Sequence, residues 1–328
     1  AIGTLHSFAQ RILSEHPVEA RLPPRVEVLD EVSSGIAFDR RWGRVLDILL
    51  ADPRLERTLL LLSAAGVDPK KLRALALAFD GAWDLVEDRV PAEAAAPPPV
   101  ADTLPKVLSE LEALATLTGH CVDPTDKLLG RIAEILAFGI ALEDADDDLD
   151  LLELLTSKRK LSASNLGRAD SWKGFKAEVV HQINVVAETI EAVKGTVLQA
   201  CARHLASAMR QHTLRAATER REAGRLEFHD LLVLARQVLR DPIQGPIVRE
   251  ALQDRYRRLL LDEFQDTDPI QIELAVRIAS ADPATAAVLE PGSRLSTKAT
   301  RAIRMCSAAS AGVIVVVLTV ISALRGGS

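Results

Sequence analysis

Leu259-Leu260-Leu261-Asp262-Glu263-Phe264-Gln265-Asp266-Thr267 is the stretch on which the reading of this chain turns. Residues 256–261 are short, apolar-ended and bounded by charge, the pattern of a buried parallel strand. Such a strand delivers two adjacent acids at its C-terminal end, the edge of an open α/β sheet where ligands bind. The next element starts cleanly. Asp268 can be the N-cap, Pro269 takes the first helical position, and Gln271 falls where a capping-box partner belongs.

The acid pair suits nucleotide chemistry. A nucleoside triphosphate arrives with Mg²⁺, and Asp262 can hold the ion through its water shell. Glu263 can take a proton from the attacking water. Gln265 can sense the γ-phosphate side and couple it to domain movement. A bare Asp-Glu pair also occurs as an ordinary surface turn, so the pair alone decides little. The whole string from Leu259 to Gln271 is more specific. It closely resembles motif II, the Walker B box, of superfamily 1 DNA helicases of the UvrD/RecB/AddA type.

Two further segments resemble the same helicases, in the same order. Gly3-Thr4-Leu5-His6-Ser7-Phe8-Ala9 is similar to motif Ib. The resemblance implies that Thr4, His6 and Ser7 lie on the single-stranded DNA track. Hydroxyls and an imidazole can bond phosphate oxygens, with Phe8 supporting the helix beneath. Alone, His6 also reads as an ordinary histidine near a helix cap. Arg225-Leu226-Glu227-Phe228-His229-Asp230-Leu231-Leu232 resembles the segment that returns the chain from an inserted helical domain to the ATPase domain. Relatives often carry a second acid where His229 stands. Here the segment is expected to be structural, with Phe228, Leu231 and Leu232 in the core.

Between these motifs the chain reads as helical. Residues 1–3 could end a strand. Thr4 reads as an N-cap, with Leu5, Phe8, Ala9, Ile12 and Leu13 on one helix face and Pro17 as the stop. Helical spacing recurs over 32–50, 55–65, 70–79 and 102–117. Residues 91–100 hold four prolines and four alanines, a linker or extended surface loop. Residues 143–153 hold seven acids, followed by Lys158-Arg159-Lys160, a solvated surface with local charge pairing rather than a metal site. Residues 172–225 lack proline and read as one or two long helices. Arg203, Arg210, Arg215, Arg220, Arg221 and Arg225 there could track phosphates or simply line a solvated face. Residues 227–239 are amphipathic, and Asp241-Pro242 stops them.

The expected fold is therefore α/β: a partial RecA-like P-loop NTPase domain with a large, mostly helical insertion like domain 1B. Residues 1–25 and 226–285 would form the RecA-like domain 1A, residues 26–225 the insertion, and 286–328 a divergent apolar tail. The net charge of -6 excludes a uniformly basic nucleic-acid binder but not a local basic channel. Aromatics make up only 3%, so Leu, Ala and Val must build the core. Cys121, Cys201 and Cys306 are odd in number and far apart, with no disulfide framework or zinc spacing, and a reducing cytoplasm is the expected compartment.

The resemblance implies an ATP-dependent, 3′-to-5′ single-stranded DNA translocase of DNA repair and recombination, tilted towards AddA and RecB by the size of the insertion. ATP and Mg²⁺ are the implied cofactors. Single-stranded and duplex DNA are the implied partners, with a second helicase or nuclease subunit as a further one. The phosphate-binding loop, Gly-x-x-x-x-Gly-Lys-[Ser/Thr], is missing, since no Gly-Lys dipeptide occurs. Motif III is also unrecognisable. The chain is accordingly expected to be an internal fragment, motif Ib to motif II, inactive by itself. Two rival readings stand: a non-enzymatic DNA-binding helicase remnant, and a tail-anchored membrane protein using the apolar run 308–324, which is at the lower limit for a span.

Overall fold

A computed structural model of the chain describes residues 4–157, 161, 163, 165–256 and 269–279. The acid box at 259–267, the strand ending expected at 1–3, the basic run 158–160 and the tail 286–328 lie outside the described residues. So does the strand expected at 256–261, except for Tyr256, which follows a helix as irregular chain.

In chain order the helices and strands are α1 (Leu5–Glu15), β1 (Glu27–Val28), α2 (Glu31–Ala51), α3 (Glu56–Ala64), α4 (Pro69–Asp80) and α5 (Trp83–Arg89). Then come α6 (Leu104–Leu117), α7 (Lys127–Glu143), α8 (Asp148–Thr156) and α9 (Lys176–Ala223). The series closes with β2 (Arg225–Leu226), α10 (Phe228–Arg240), α11 (Gly245–Arg255) and α12 (Pro269–Ala279). The described residues are thus overwhelmingly helical, and their sheet is a single two-residue parallel ladder. The segments expected as strands, at 1–3 and 256–261, fall outside the described residues apart from Tyr256.

Two compact units emerge. The first comprises the described residues within Ala1–Leu46, Arg73–Pro91 and Met209–Val320, and the second those within Asp47–Leu72 and Ala92–Ala208. In the first, α1 forms as its sequence dictates. Thr4 Oγ1 accepts from the Ser7 amide at 3.2 Å, and the helix ends at His16, one residue before Pro17. Its apolar stripe Ala9, Ile12 and Leu13 is buried against the inner face of α10, where Leu231 to Ala235, Val238 and Leu239 are buried too. Leu274 and Ile278 of α12 complete this core.

The chain leaves and re-enters this core side by side. Glu27 pairs with Arg225 and Val28 with Leu226. The helix α9 must therefore stop sharply, and Gly224 provides the stop in the left-handed region at φ +65°. A Cβ there would collide with the Arg25 carbonyl and come within 2.6 Å of Pro23, so a larger residue would unseat β1. The ladder lies at the ends of the stretch read as an insertion, a pairing no local sequence pattern announces.

The second unit packs aliphatic side chains. Val107, Leu111 and Leu114 of α6 and Leu128, Ile132, Ile135, Phe138 and Leu142 of α7 are buried. Gly139 permits their approach, because a Cβ there would meet Leu111 Cδ1 at 2.8 Å. The acidic run is partly built in. Asp147 caps α8 by accepting from the Leu149 and Asp150 amides, 2.8 and 3.0 Å. Asp148 accepts from the Val100 amide at 2.8 Å and from the Arg57 guanidinium, which also reaches the carbonyls of Pro97 and Pro98. The proline stretch is therefore pinned through Arg57 and Asp148, and Val100 is buried.

Candidate nucleic-acid interface

The three residues expected on the DNA track sit together in the first turn of α1. Thr4 and Ser7 are exposed and His6 is half-buried. Ser7 Oγ donates to the Thr4 carbonyl at 2.7 Å, while Thr4 Oγ1 accepts from the Ser7 amide. The Ser7 hydroxyl hydrogen is committed, so Ser7 offers lone pairs, which suit a donor rather than a phosphate. The Thr4 hydroxyl hydrogen stays available to an anion. No acidic side chain occupies this first turn, so the positive end of the helix dipole is unopposed there.

The imidazole of His6 meets the Phe228 ring at right angles, with centroids 5.8 Å apart and planes at 87°. The first turns of α1 and α10 are therefore neighbours. Here the sequence reading needs correcting. Leu231 and Leu232 are buried as expected, but Phe228 is 53% exposed. The reason is its position. It is the first residue of α10, on the same face as Leu231, Leu232 and Ala235 but at the end of the helix, where the burial of that face gives out.

Behind this surface lies a buried charge network that the sequence did not disclose. Asp230, in the first turn of α10, is held by Trp83 Nε1 at 2.8 Å and by Arg220 Nε and Nη2 at 2.8 and 3.0 Å. It also accepts from the Glu227 amide at 2.9 Å. Arg220 Nη1 donates to Asp80 at 2.7 Å, and Asp80 takes Arg41 at 2.6 Å. Burial opposes the charge on Arg220, but the bonds to Asp230 and the fields of Asp80 and Glu227 outweigh it and raise its pKa. Burial raises the Glu227 carboxyl above its ordinary value, with Asp80 and Asp230 adding to the rise against Arg220 and Arg41. Arg220 was read among the arginines that could track phosphates. It is only 5% exposed and belongs to this network instead.

A second cluster continues along α10. His229 Nε2 lies 2.8 Å from Asp84, and Arg236 Nη2 donates to the same carboxylate at 2.9 Å. Burial would raise Asp84, but His229 and Arg236 overcome it and hold the acid below its usual range. Arg240 grips Glu273 of α12 through two bonds of 2.6 and 2.8 Å, and Arg277 adds a third at 2.6 Å. The helix that follows the acid box is thereby locked to α10. Asp262, Glu263 and Gln265, expected to carry the nucleotide chemistry, lie outside the described residues.

The remaining arginines of the long helix divide. Arg215 is exposed and pairs with Glu219 at 2.9 Å, a bond to solvent-facing acid that a phosphate could displace. Arg210 donates to the Glu87 carbonyl at 3.1 Å. Arg221 lines a cavity of about 140 Å³ with Trp83, Leu214, Ala217 and Leu234. That volume is well below the roughly 300 Å³ at which ligand pockets begin. Arg225 pairs with Glu27 at 3.4 Å at the mouth of the ladder.

Comparison with known proteins settles the family. The sequence profile of the UvrD/REP helicase N-terminal domain matches residues 1–289. The chain belongs to this helicase family. A RecA-like fold follows for the domain, which the predominantly helical described residues represent in part. The chain is also similar to the RecBCD enzyme subunit RecB of Escherichia coli (strain K12), at 38% identity over 73 residues. That match spans 22% of this chain and 6% of the relative. Among the described residues no helix is long and apolar enough to cross a membrane, and the apolar run 308–324 lies outside them.

Proposed function

We propose that this UvrD/REP-family chain serves an ATP-driven motor that moves 3′-to-5′ along single-stranded DNA in AddA- or RecB-like repair and recombination. One observation carries the reading. The family match over residues 1–289 encloses both the Thr4–His6–Ser7 segment and the acid box, in the order the motor requires. Residues 26–225 would be the 1B-like helical insertion, 1–25 and 226–285 the RecA-like part, and 286–328 a divergent tail. A DNA substrate implies a cytoplasmic protein. The similarity to RecB, whose name places it in a multi-subunit enzyme, supports a second helicase or nuclease subunit as partner.

The donor set fits Mg²⁺ and ATP: adjacent hard carboxylates at the end of an apolar stretch. Asp262 would hold the ion through water, Glu263 would accept the proton of the attacking water, and Gln265 would link the γ-phosphate side to domain movement. When bound, ATP supplies the phosphoanhydride bond whose cleavage drives the motor. The lock of Glu273 by Arg240 and Arg277 would hold the following helix still while this occurs. The chain carries no Gly-Lys dipeptide and so no phosphate-binding loop, and it does not hydrolyse ATP unaided.

The test has two arms. The purified chain with Mg²⁺, ATP and single-stranded DNA shows no turnover above a Glu263→Gln control. In a polypeptide that joins this sequence to a phosphate-binding loop, Glu263→Gln abolishes hydrolysis and leaves nucleotide binding nearly intact, because the base acts in the transition state. An unchanged catalytic rate in that variant removes Glu263 from the mechanism.

A further inference from the structure

Helix α7 is apolar almost all round. Between residues 128 and 142 its only charged side chains are Arg131 and Glu134, and these bond each other at 2.7 Å. One stripe, Leu128, Ile132, Ile135, Phe138 and Leu142, is buried in the second unit. A helix that is apolar on all sides is normally covered on all sides. The opposite stripe of α7 is not. Gly130, Ala133, Ala137 and Ile140 are exposed, Ile140 by 59%, with Leu129, Leu136 and Ala141 half-buried beside them.

Two glycines mark the difference between the faces. On the inner face Gly139 makes room for Leu111, which a Cβ would meet at 2.8 Å. A Cβ at Gly130 would meet nothing within 4 Å, so the packing of this chain does not call for glycine there. Glycine weakens a helix interior. What it permits is the close approach of another backbone.

The charges at the helix ends say whose backbone that is. Lys127 stands in the first turn and Asp144 caps the last, the reverse of what the helix dipole favours. Both are exposed, and neither has an ion pair among the described residues. Laid antiparallel on itself, the stripe is its own complement. Ala133 faces Ala137 of a second copy, Gly130 receives Ile140, and Lys127 meets Asp144 at each end. Each of these charges then lies beside the helix pole that suits it.

We propose that the outer face of α7 is a twofold interface, on which a second copy of this chain docks its own α7 antiparallel. The same patch serves on both copies, as a closed pair requires. The helix is about 25 Å long, and one such helix pair buries less than the roughly 1,200 Å² of a stable complex. The dimer is therefore weak, reversible and dependent on concentration.

Analytical ultracentrifugation of the purified full chain over a concentration series tests this. The chain sediments as a monomer and dimer in exchange. Ala137→Glu sets like charges across the twofold axis and weakens the dimer at least about tenfold. Lys127→Asp alone weakens it about fivefold, and so does Asp144→Lys. Neither lowers the melting temperature of the monomer, because each suits the dipole of its own helix. Joined in one chain, the two changes restore the dimer, which a folding defect cannot mimic. A chain that stays monomeric throughout overturns the proposal. So does a dimer untouched by Ala137→Glu in a chain of unaltered circular dichroism, since the contact would then lie elsewhere. Should Ala137→Glu lose helix, the paired charges decide: a double variant no better at dimerising than either single one overturns it as well.

Discussion

The two units of this molecule solve the problem of burial in opposite ways. Among the described residues the first buries Asp80, Asp84, Arg220, Asp230, Glu273 and Arg277, each paired, while the second buries a single charged side chain, Asp126, on two backbone amides. Aliphatic packing is forgiving, because many combinations of Leu, Ile and Val fill the same space. A buried ion network is not, since each member must be matched in position and direction. The difference suggests where the geometry has to be held. In the first unit the buried charges fix the start of α10 and tie α10 to the helix after the acid box. In the second, α6 and α7 need only pack.

Removing a hub is the hardest test of that contrast. Arg220→Met leaves Asp80 and Asp230 buried without their main partner, and should cost about 3–5 kcal/mol in urea unfolding. Arg220→Lys should recover only part of it, since one ammonium cannot replace a fork that grips both acids. If Arg220→Met is nearly neutral, the network is dispensable and the comparison fails. Leu152→Ala, in the aliphatic unit, should cost about 3 kcal/mol through the cavity it leaves, with no such sensitivity to charge.

Proton linkage sharpens the same contrast on a smaller scale. Asp84 and Glu273 are held below their ordinary values of 3.8 and 4.5, burial being overcome by His229 and Arg236 in one case and by Arg240 and Arg277 in the other. Their stabilisation is complete above those ordinary values and is lost as pH falls through the depressed ones. Glu227 runs the other way. Burial and its acidic neighbours raise it above 4.5, so its contribution is present below 4.5 and lost as pH rises through the raised value. Glu227→Gln should therefore hold or raise stability at neutral pH, with the difference vanishing below about pH 4.5. A thermal-melt series across pH 3 to 8 on both chains would show it. A variant less stable at pH 7 would mean that the Arg41 and Arg220 contacts outweigh the burial.

What the sequence disclosed was local. The Thr4 cap, the Pro17 stop, the unbroken run that becomes the long α9, and the inward face of α10 all follow from residues within a few positions of one another. The pairing of Glu27 with Arg225 and the bonds of Trp83 and Asp80 to Asp230 and Arg220 do not. Their partners lie far apart along the chain, and nothing in the spacing of either segment marks the other. The same blindness explains the two misplaced residues. Arg220 looked like one more cation on a basic helix because its acids are remote, and Phe228 looked like core because a phenylalanine beside two leucines usually is. Of the candidate site, Thr4, His6 and Ser7 sit at the start of α1, as neighbours in sequence must, with the Ser7 hydroxyl hydrogen turned to the backbone instead of outward.

The central claim is that a single strand is gripped chiefly through its phosphates, at Thr4 and along Arg210, Arg215 and Arg221. Anisotropy of a labelled single-stranded oligonucleotide on the purified chain, at several salt concentrations, tests it most directly. The account predicts weak binding that falls as salt rises, because each phosphate contact releases a counterion, and a further loss when Arg210, Arg215 and Arg221 together become Ala. Tight binding indifferent to salt, or a triple variant that binds as well as the unaltered chain, would contradict it.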